Sequence, residues 1–152
     1  MARLELRLPP VSSAPADARH AIAAWLTSIA ASRRHTDDVV IVISELVTNG
    51  LVHDGGDDII VRADRVHGSL CIDVVTAAPQ PGMVPYPRPN AGVDETGRGM
   101  AIVSALCQEI TITEEPAGRR TVTCRIGLDA GPPSPSEERG AASPGRARPS
   151  RR

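Results

Sequence analysis

The chain has 152 residues, a net charge of −1, 41% apolar residues and only 1% aromatic residues, namely Trp25 and Tyr86 with no Phe. That length corresponds to one domain, and so few aromatic rings exclude an aromatic stacking platform for single-stranded nucleic acid. All 17 basic residues are Arg, which excludes a Walker P-loop, whose phosphate grip requires Lys, and lysine Schiff-base chemistry with it.

Leu4, Leu6 and Leu8 alternate with Arg3, Glu5 and Arg7, which predicts a half-buried strand stopped by Pro9 and Pro10. From about residue 16 to 31, Ala18, Ile22, Trp25, Leu26 and Ile29 recur at helical spacing and predict an amphipathic helix. The β-branched run at residues 39–43 taken alone suggests a buried strand. Helix is expected instead, because Thr36 with Asp37 and Asp38 forms an N-cap with acids in the first turn. The apolar set Val39, Ile43, Leu46, Val47 and Gly50 also keeps a helical period, up to the stop signal Asp54-Gly55-Gly56.

Beyond Gly56 the period becomes that of strands. Residues 59–63 and 70–75 flank His67-Gly68 as a hairpin, and residues 110–113 and 121–128 flank Pro116-Ala117-Gly118 as a second. Between the hairpins lies a proline-rich stretch, residues 77–96, of a length expected of a lid or binding loop. A glycine-rich turn then leads into a short apolar helix at residues 100–106. Beyond residue 129, Pro, Ser, Gly, Ala and Arg predict a disordered tail. The expected division is therefore a domain over 1–129 and a tail over 130–152. Hairpins in place of βαβ crossovers imply an α/β (α+β) two-layer sandwich, with a mixed, mostly antiparallel sheet and its helices on one face.

Cys71, Cys107 and Cys124 are widely spaced with no CxxC pair, and read as small buried hydrophobes in a reducing compartment. No apolar run reaches the roughly 20 residues of a membrane span, and no signal peptide pattern is present, so a cytoplasmic location is expected.

One stretch carries chemistry. In Glu45-Leu46-Val47-Thr48-Asn49-Gly50-Leu51-Val52-His53, a carboxylate and a carboxamide stand four residues apart on one helix face, with His53 a turn further on. A carboxylate can orient or deprotonate a hydroxyl, and an amide oxygen can hold Mg²⁺. Both polar groups lie in an otherwise apolar segment, where a buried carboxylate is costly unless paired or bound to metal. Some 45 residues on comes Glu95-Thr96-Gly97-Arg98-Gly99-Met100. Together the two pieces suggest a nucleotide site.

The first stretch resembles the N-box of the Bergerat-fold, histidine-kinase-like ATPases, and within them the stand-alone anti-sigma-factor serine/threonine kinases of actinobacterial type. The resemblance spans roughly residues 4–128. It implies ATP and Mg²⁺ as cofactors. It implies Glu45 as the catalytic base or orienter of the attacking hydroxyl, Asn49 as the Mg²⁺ ligand, and His53, Gly97, Arg98, Gly99 and Met100 as nucleotide-binding positions. Thr76 stands where relatives carry an Asp that accepts from the adenine amino group. The implied partners are a sigma factor and an anti-sigma antagonist protein that accepts phosphate on serine. Separately, the edge strand Leu4–Leu8 could pair across a homodimer, and the net charge of −1 gives no pull toward membrane or nucleic acid. The alternative is a pseudokinase with weak or no ATP binding, acting only as a protein-binding regulator. Either implies transcription regulation.

Overall fold

The computed structural model describes residues 3–53, 56–78 and 95–128. Five strands and three helices follow in the order β1 (Leu4–Leu8), α1 (Ala14–Ser28), α2 (Arg33–His53), β2 (Ile59–Val66), β3 (Ser69–Ala77), α3 (Glu95–Leu106), β4 (Glu109–Glu115) and β5 (Arg119–Gly127). The strands form one sheet in the order β1-β2-β3-β5-β4, antiparallel at each pairing. β3 is therefore central and β1 is an edge. Residues 79–94 and the tail from 129 lie outside the described residues, so the expected lid and disordered tail do too.

Period-two alternation sorts the sheet into two faces. Val61 and Ala63, Leu70, Ile72 and Val74, and Val122, Cys124 and Ile126 point to the helices and join their apolar sides in one core. The odd positions of β3 face away, where Thr123 Oγ1 donates to Asp73 Oδ1 at 2.7 Å. From α1 the core receives Ala18, Ile22, Trp25 and Leu26. From α2 it receives Val39, Val42, Ile43, Leu46 and Val47. The β-branched run is thus helical, because its apolar period and length prevail over local strand propensity.

Several boundaries differ from expectation for identifiable reasons. α1 stops at Ser28, short of residue 31, because Ala30 turns into the left-handed region at φ 55° and Ala31 N–H reaches back to the Leu26 carbonyl at 3.0 Å. That closure normally uses glycine, and with alanine in its place no local signal marks the stop. α2 starts at Arg33, one turn before the expected Thr36 cap. Ser32 Oγ accepts from the His35 backbone N–H at 3.3 Å, and the Ser32 carbonyl takes the Thr36 amide at 3.0 Å, so Ser32 is the cap. The first hairpin turns through His67 and Gly68, both at positive φ (46° and 75°), the geometry of a two-residue type I′ turn.

Candidate functional site

Three chain segments converge at one end of the sheet. α2 ends at His53, six residues before Ile59 opens β2 opposite Leu8, and β3 ends at Ala77 opposite Arg119. α3 leaves by the far end, since Gln108, just past it, donates its N–H to the Arg125 carbonyl at 2.8 Å. The N-terminus of α3 therefore lies toward the end where α2 and β3 finish. A helix start offers unpaired N–H groups and the positive pole of the helix dipole, a natural seat for an anion.

Across this junction the two sequence motifs meet. The Glu45 carboxylate of α2 lies against Gly99 of α3, so that a β-carbon on Gly99 would collide with Oε2 and stand 3.3 Å from Cδ. One turn on, Asn49 is buried at 7% exposure, and its Nδ2 finds no hydrogen-bond partner among the described residues. A buried amide nitrogen left unpaired is costly, and binding sites are where such groups are kept. Arg19 of α1 braces the neighbouring position, donating from Nη1 to Ser44 Oγ at 3.0 Å.

The remaining site candidates separate. Arg98 is exposed and Met100 is fully buried in the core, so Met100 packs beneath the junction. Gly97 and His53 have helical backbones, and the His53 side chain lies outside the described residues. Thr76 is buried at 4% exposure on the helix-facing side of β3, in line with Ile72 and Val74. One expectation needs correction. The glycines do not form a turn ahead of the helix, because α3 begins at Glu95 and Gly99 is its fifth residue. Glycine at that point costs about 0.5–1 kcal/mol relative to Ala, and the Glu45 carboxylate explains why no side chain stands there.

Among the described residues no group of three or more His, Cys, Asp or Glu can hold a metal. One carboxylate, one buried amide and a helix start fit an ion shared with a ligand's phosphates better than a protein-only metal cage.

Sequence reasoning missed Arg120. It is buried at 4% exposure beside Thr76, and its guanidinium donates to Glu114 Oε1 from Nε at 3.1 Å and from Nη2 at 2.6 Å. The available signal was parity, since Arg120 precedes Val122, Cys124 and Ile126 on the core-facing side of β5.

The sequence family described as histidine kinase-like ATPase domain matches residues 10–126. The chain belongs to this family. The antiparallel sheet with its helices is accordingly the Bergerat fold of these ATPase domains, which bind nucleotide. The structure of the RsbU and RsbW domains of Rv1364c from Mycobacterium tuberculosis is similar at TM-score 0.65 and 25% identity, over 84% of this chain and 33% of that one. The chain thus spans about a third of the length of the two-domain chain in that structure. The SiaB–SiaC complex from Pseudomonas aeruginosa is similar at TM-score 0.61 and 14% identity, over 81% of this chain and 88% of the other, a likeness of fold. No curated protein sequence matches the chain. Among the described residues, no helix is long and apolar enough to cross a membrane.

Proposed function

We propose that this ATPase-domain protein is an anti-sigma-type serine/threonine kinase. It binds a Mg-nucleotide, ATP by family likeness, between α2 and α3, and transfers phosphate to a serine of a small antagonist protein. The observation that carries this reading is the contact of Glu45 with Gly99 beside the buried, unpaired amide of Asn49. Phosphoryl transfer asks a protein mainly for positioning and charge neutralisation. Glu45 orients the attacking hydroxyl and takes its proton. Asn49 holds the cation that neutralises the phosphates, and the N–H groups at the start of α3 hold the phosphate oxygens. Arg98, exposed near that helix start, adds a grip suited to phosphate. Glu95, Thr96 and Gly97 belong to the same helix start.

The resemblance of the N-box to that of anti-sigma kinases extends the reading to a sigma factor as the protein held when the antagonist is absent, with the cytoplasm as its place of action. The edge position of β1 supports a homodimer joined along Leu4–Leu8. The folded domain over 1–129 suffices for these roles, and the 130–152 tail is a solubilising extension. A second reading has its own observation: Thr76 places no carboxylate where relatives grip adenine, which favours a pseudokinase that only sequesters its partner.

Calorimetric titration with Mg·ATP and Mg·ADP, followed by phosphate transfer to an antagonist protein, tests the first reading. Heat of binding and a phosphoserine product are expected. Binding without transfer to any antagonist would favour the sequestering protein.

A further inference from the structure

Two of the three cysteines meet where α3 hands over to the sheet. Cys107 is the first residue after α3, and its N–H closes the last helical turn on the Val103 carbonyl at 3.0 Å. The next residue, Gln108, gives its N–H to the Arg125 carbonyl at 2.8 Å, and its side chain lies against Gly127. Ile110, three positions on from Cys107, pairs across the sheet with Cys124. The chain therefore passes from α3 into β4 directly beside Cys124, which points to the helices from β5. The two thiols are in hydrogen-bond contact, with Cys124 donating to Cys107.

Their surroundings differ. Cys124 is fully buried in the core, while Cys107 is partly exposed. A small oxidant arriving from solvent meets Cys107 first, and the thiol bond from Cys124 favours its reactive thiolate form. An oxidised Cys107 then has a second thiol already in contact, the arrangement of a sensing cysteine next to a resolving one. Cys71 cannot take that part. It stands opposite Arg125 on the other face of the sheet, with Asp73. The backbone also permits closure. A disulfide needs α-carbons roughly 4.4–6.8 Å apart, a separation reached by chain segments that share a hydrogen bond, as the Cys107–Gln108 junction and β5 do.

We propose that Cys107 and Cys124 form an oxidant-sensitive dithiol, which a hydroperoxide converts into a disulfide tying the end of α3 to β5. The Cys107 thiolate attacks one peroxide oxygen. An S–O bond forms, the O–O bond breaks, and the other oxygen leaves as water or an alcohol after taking a proton. Cys124 sulfur then attacks the sulfenic sulfur, forming the S–S bond and breaking the S–O bond. The hydroxide expelled takes up the Cys124 proton and leaves as water. The two sulfurs together lose two electrons, which the peroxide gains. A dithiol reductant reverses the change by exchange. The inference stands apart from the nucleotide reading, since neither thiol belongs to the junction between α2 and α3.

The test is treatment of the folded full chain with a small excess of hydrogen peroxide, then alkylation of free thiols, tryptic digestion and mass spectrometry without reduction. The expected product is peptide 99–119 linked to peptide 121–125, two hydrogen atoms lighter than their sum, with Cys71 alkylated. Dithiothreitol is expected to return the separate peptides. A non-reducing gel is expected to show the monomer. In Cys124→Ala the resolving thiol is absent, so Cys107 is expected to persist as a sulfenic acid that dimedone captures. The wild-type result stands by itself even if that variant fails to fold. Cys107 recovered unlinked from the wild-type chain, whether as free thiol or carrying two or three oxygens, overturns the proposal. A link through Cys71, or between two chains, overturns it as well.

Discussion

The Glu45 carboxylate lies against the α-carbon of Gly99, at the point where α2 and α3 come together. An alanine there would place its β-carbon onto Oε2. Because the colliding atom is the free end of a flexible side chain, the cheapest relief is a rotamer change that swings Glu45 aside, at a cost on the order of 0.5–1.5 kcal/mol. The better helix propensity of Ala returns about 0.5–1 kcal/mol. Gly99→Ala is therefore expected to leave the melting temperature within a few degrees of wild type while cutting phosphate transfer as severely as Glu45→Ala. In a Glu45→Ala background the same change should stabilise the protein, since nothing remains to collide. Transfer at the wild-type rate by Gly99→Ala would mean that the carboxylate is not placed by this contact.

Glu45 and Asn49 share a helix face but are expected to fail differently. Glu45→Ala should leave nucleotide affinity nearly intact and abolish transfer, as a group interacting only with the attacking hydroxyl does. Asn49→Ala should weaken Mg²⁺-dependent binding itself. It should also raise thermal stability slightly in the absence of nucleotide, because a buried amide nitrogen without a partner is removed. Parallel titrations and melting curves separate the two. Equal loss of affinity in both variants would make the pair structural.

Much of this arrangement was legible in the sequence, and the exceptions have physical causes. The strands and hairpins follow from alternation, and the same alternation accounts for Thr76 facing inward and Asp73 outward. The N-box was legible because two polar residues in a long apolar run need a reason to be there. The start of α2 differs because Ser32 caps it through the His35 amide, and His35 Nδ1 lies 2.7 Å from Ser32 Oγ. Gly99 was assigned to a turn because glycine ordinarily signals one, and close approach by a side chain 54 positions earlier leaves no local trace. Arg120 was overlooked for the same reason, since its partners Thr76 and Glu114 become neighbours only through strand pairing.

The Arg120–Glu114 pair should matter to stability more than its surface counterpart. Arg120 is 5% exposed at its side chain, while Glu114 is 60% exposed and partly screened. Removing Glu114 leaves a buried guanidinium with fewer acceptors, and after discounting for that exposure the loss is about 1–2 kcal/mol. Glu109→Ala, which removes the partner of Arg125 at 3.9 Å with both side chains more than half exposed, should cost under about 0.5 kcal/mol. Chemical denaturation of the two variants provides the comparison. Equal losses would show that Arg120 is supported without Glu114.

Charge distribution carries a prediction about partners. Residues 130–152 hold five Arg and two Glu, a net +3, so the −1 of the whole chain leaves −4 on residues 1–129. Sigma factors carry basic DNA-binding surfaces, and complementary charge speeds encounter in a salt-dependent way. A truncation after residue 129 is expected to keep the wild-type melting temperature and to bind a purified sigma factor at least as fast as the full chain. Raising the salt should slow association. Loss of binding on truncation, with the tail alone binding DNA, would contradict both the domain boundary and the partner.

The three cysteines should not behave alike, although the sequence suggested three small buried side chains. Only Cys124 is buried, while Cys71 and Cys107 are partly exposed. The Cys124 thiol donates a hydrogen bond to Cys107, which lowers the Cys107 pKa below the ordinary thiol value against the opposing effect of burial. The same bond, then burial, and then the nearby Cys107 and Asp73 charges push Cys124 upward. Thiolate is the reactive form, so Cys107 keeps a reactive fraction at pH values where an ordinary thiol is protonated. Alkylation with iodoacetamide followed by peptide mass mapping is expected to label Cys107 below the pH at which an ordinary thiol reacts, and to leave Cys124 unmodified until the protein unfolds. In a Cys124→Ala variant the donor is gone, and the pH at which Cys107 reacts should move upward. If Cys107 labels with the same pH profile in both proteins, the bond between the thiols does not control its acidity.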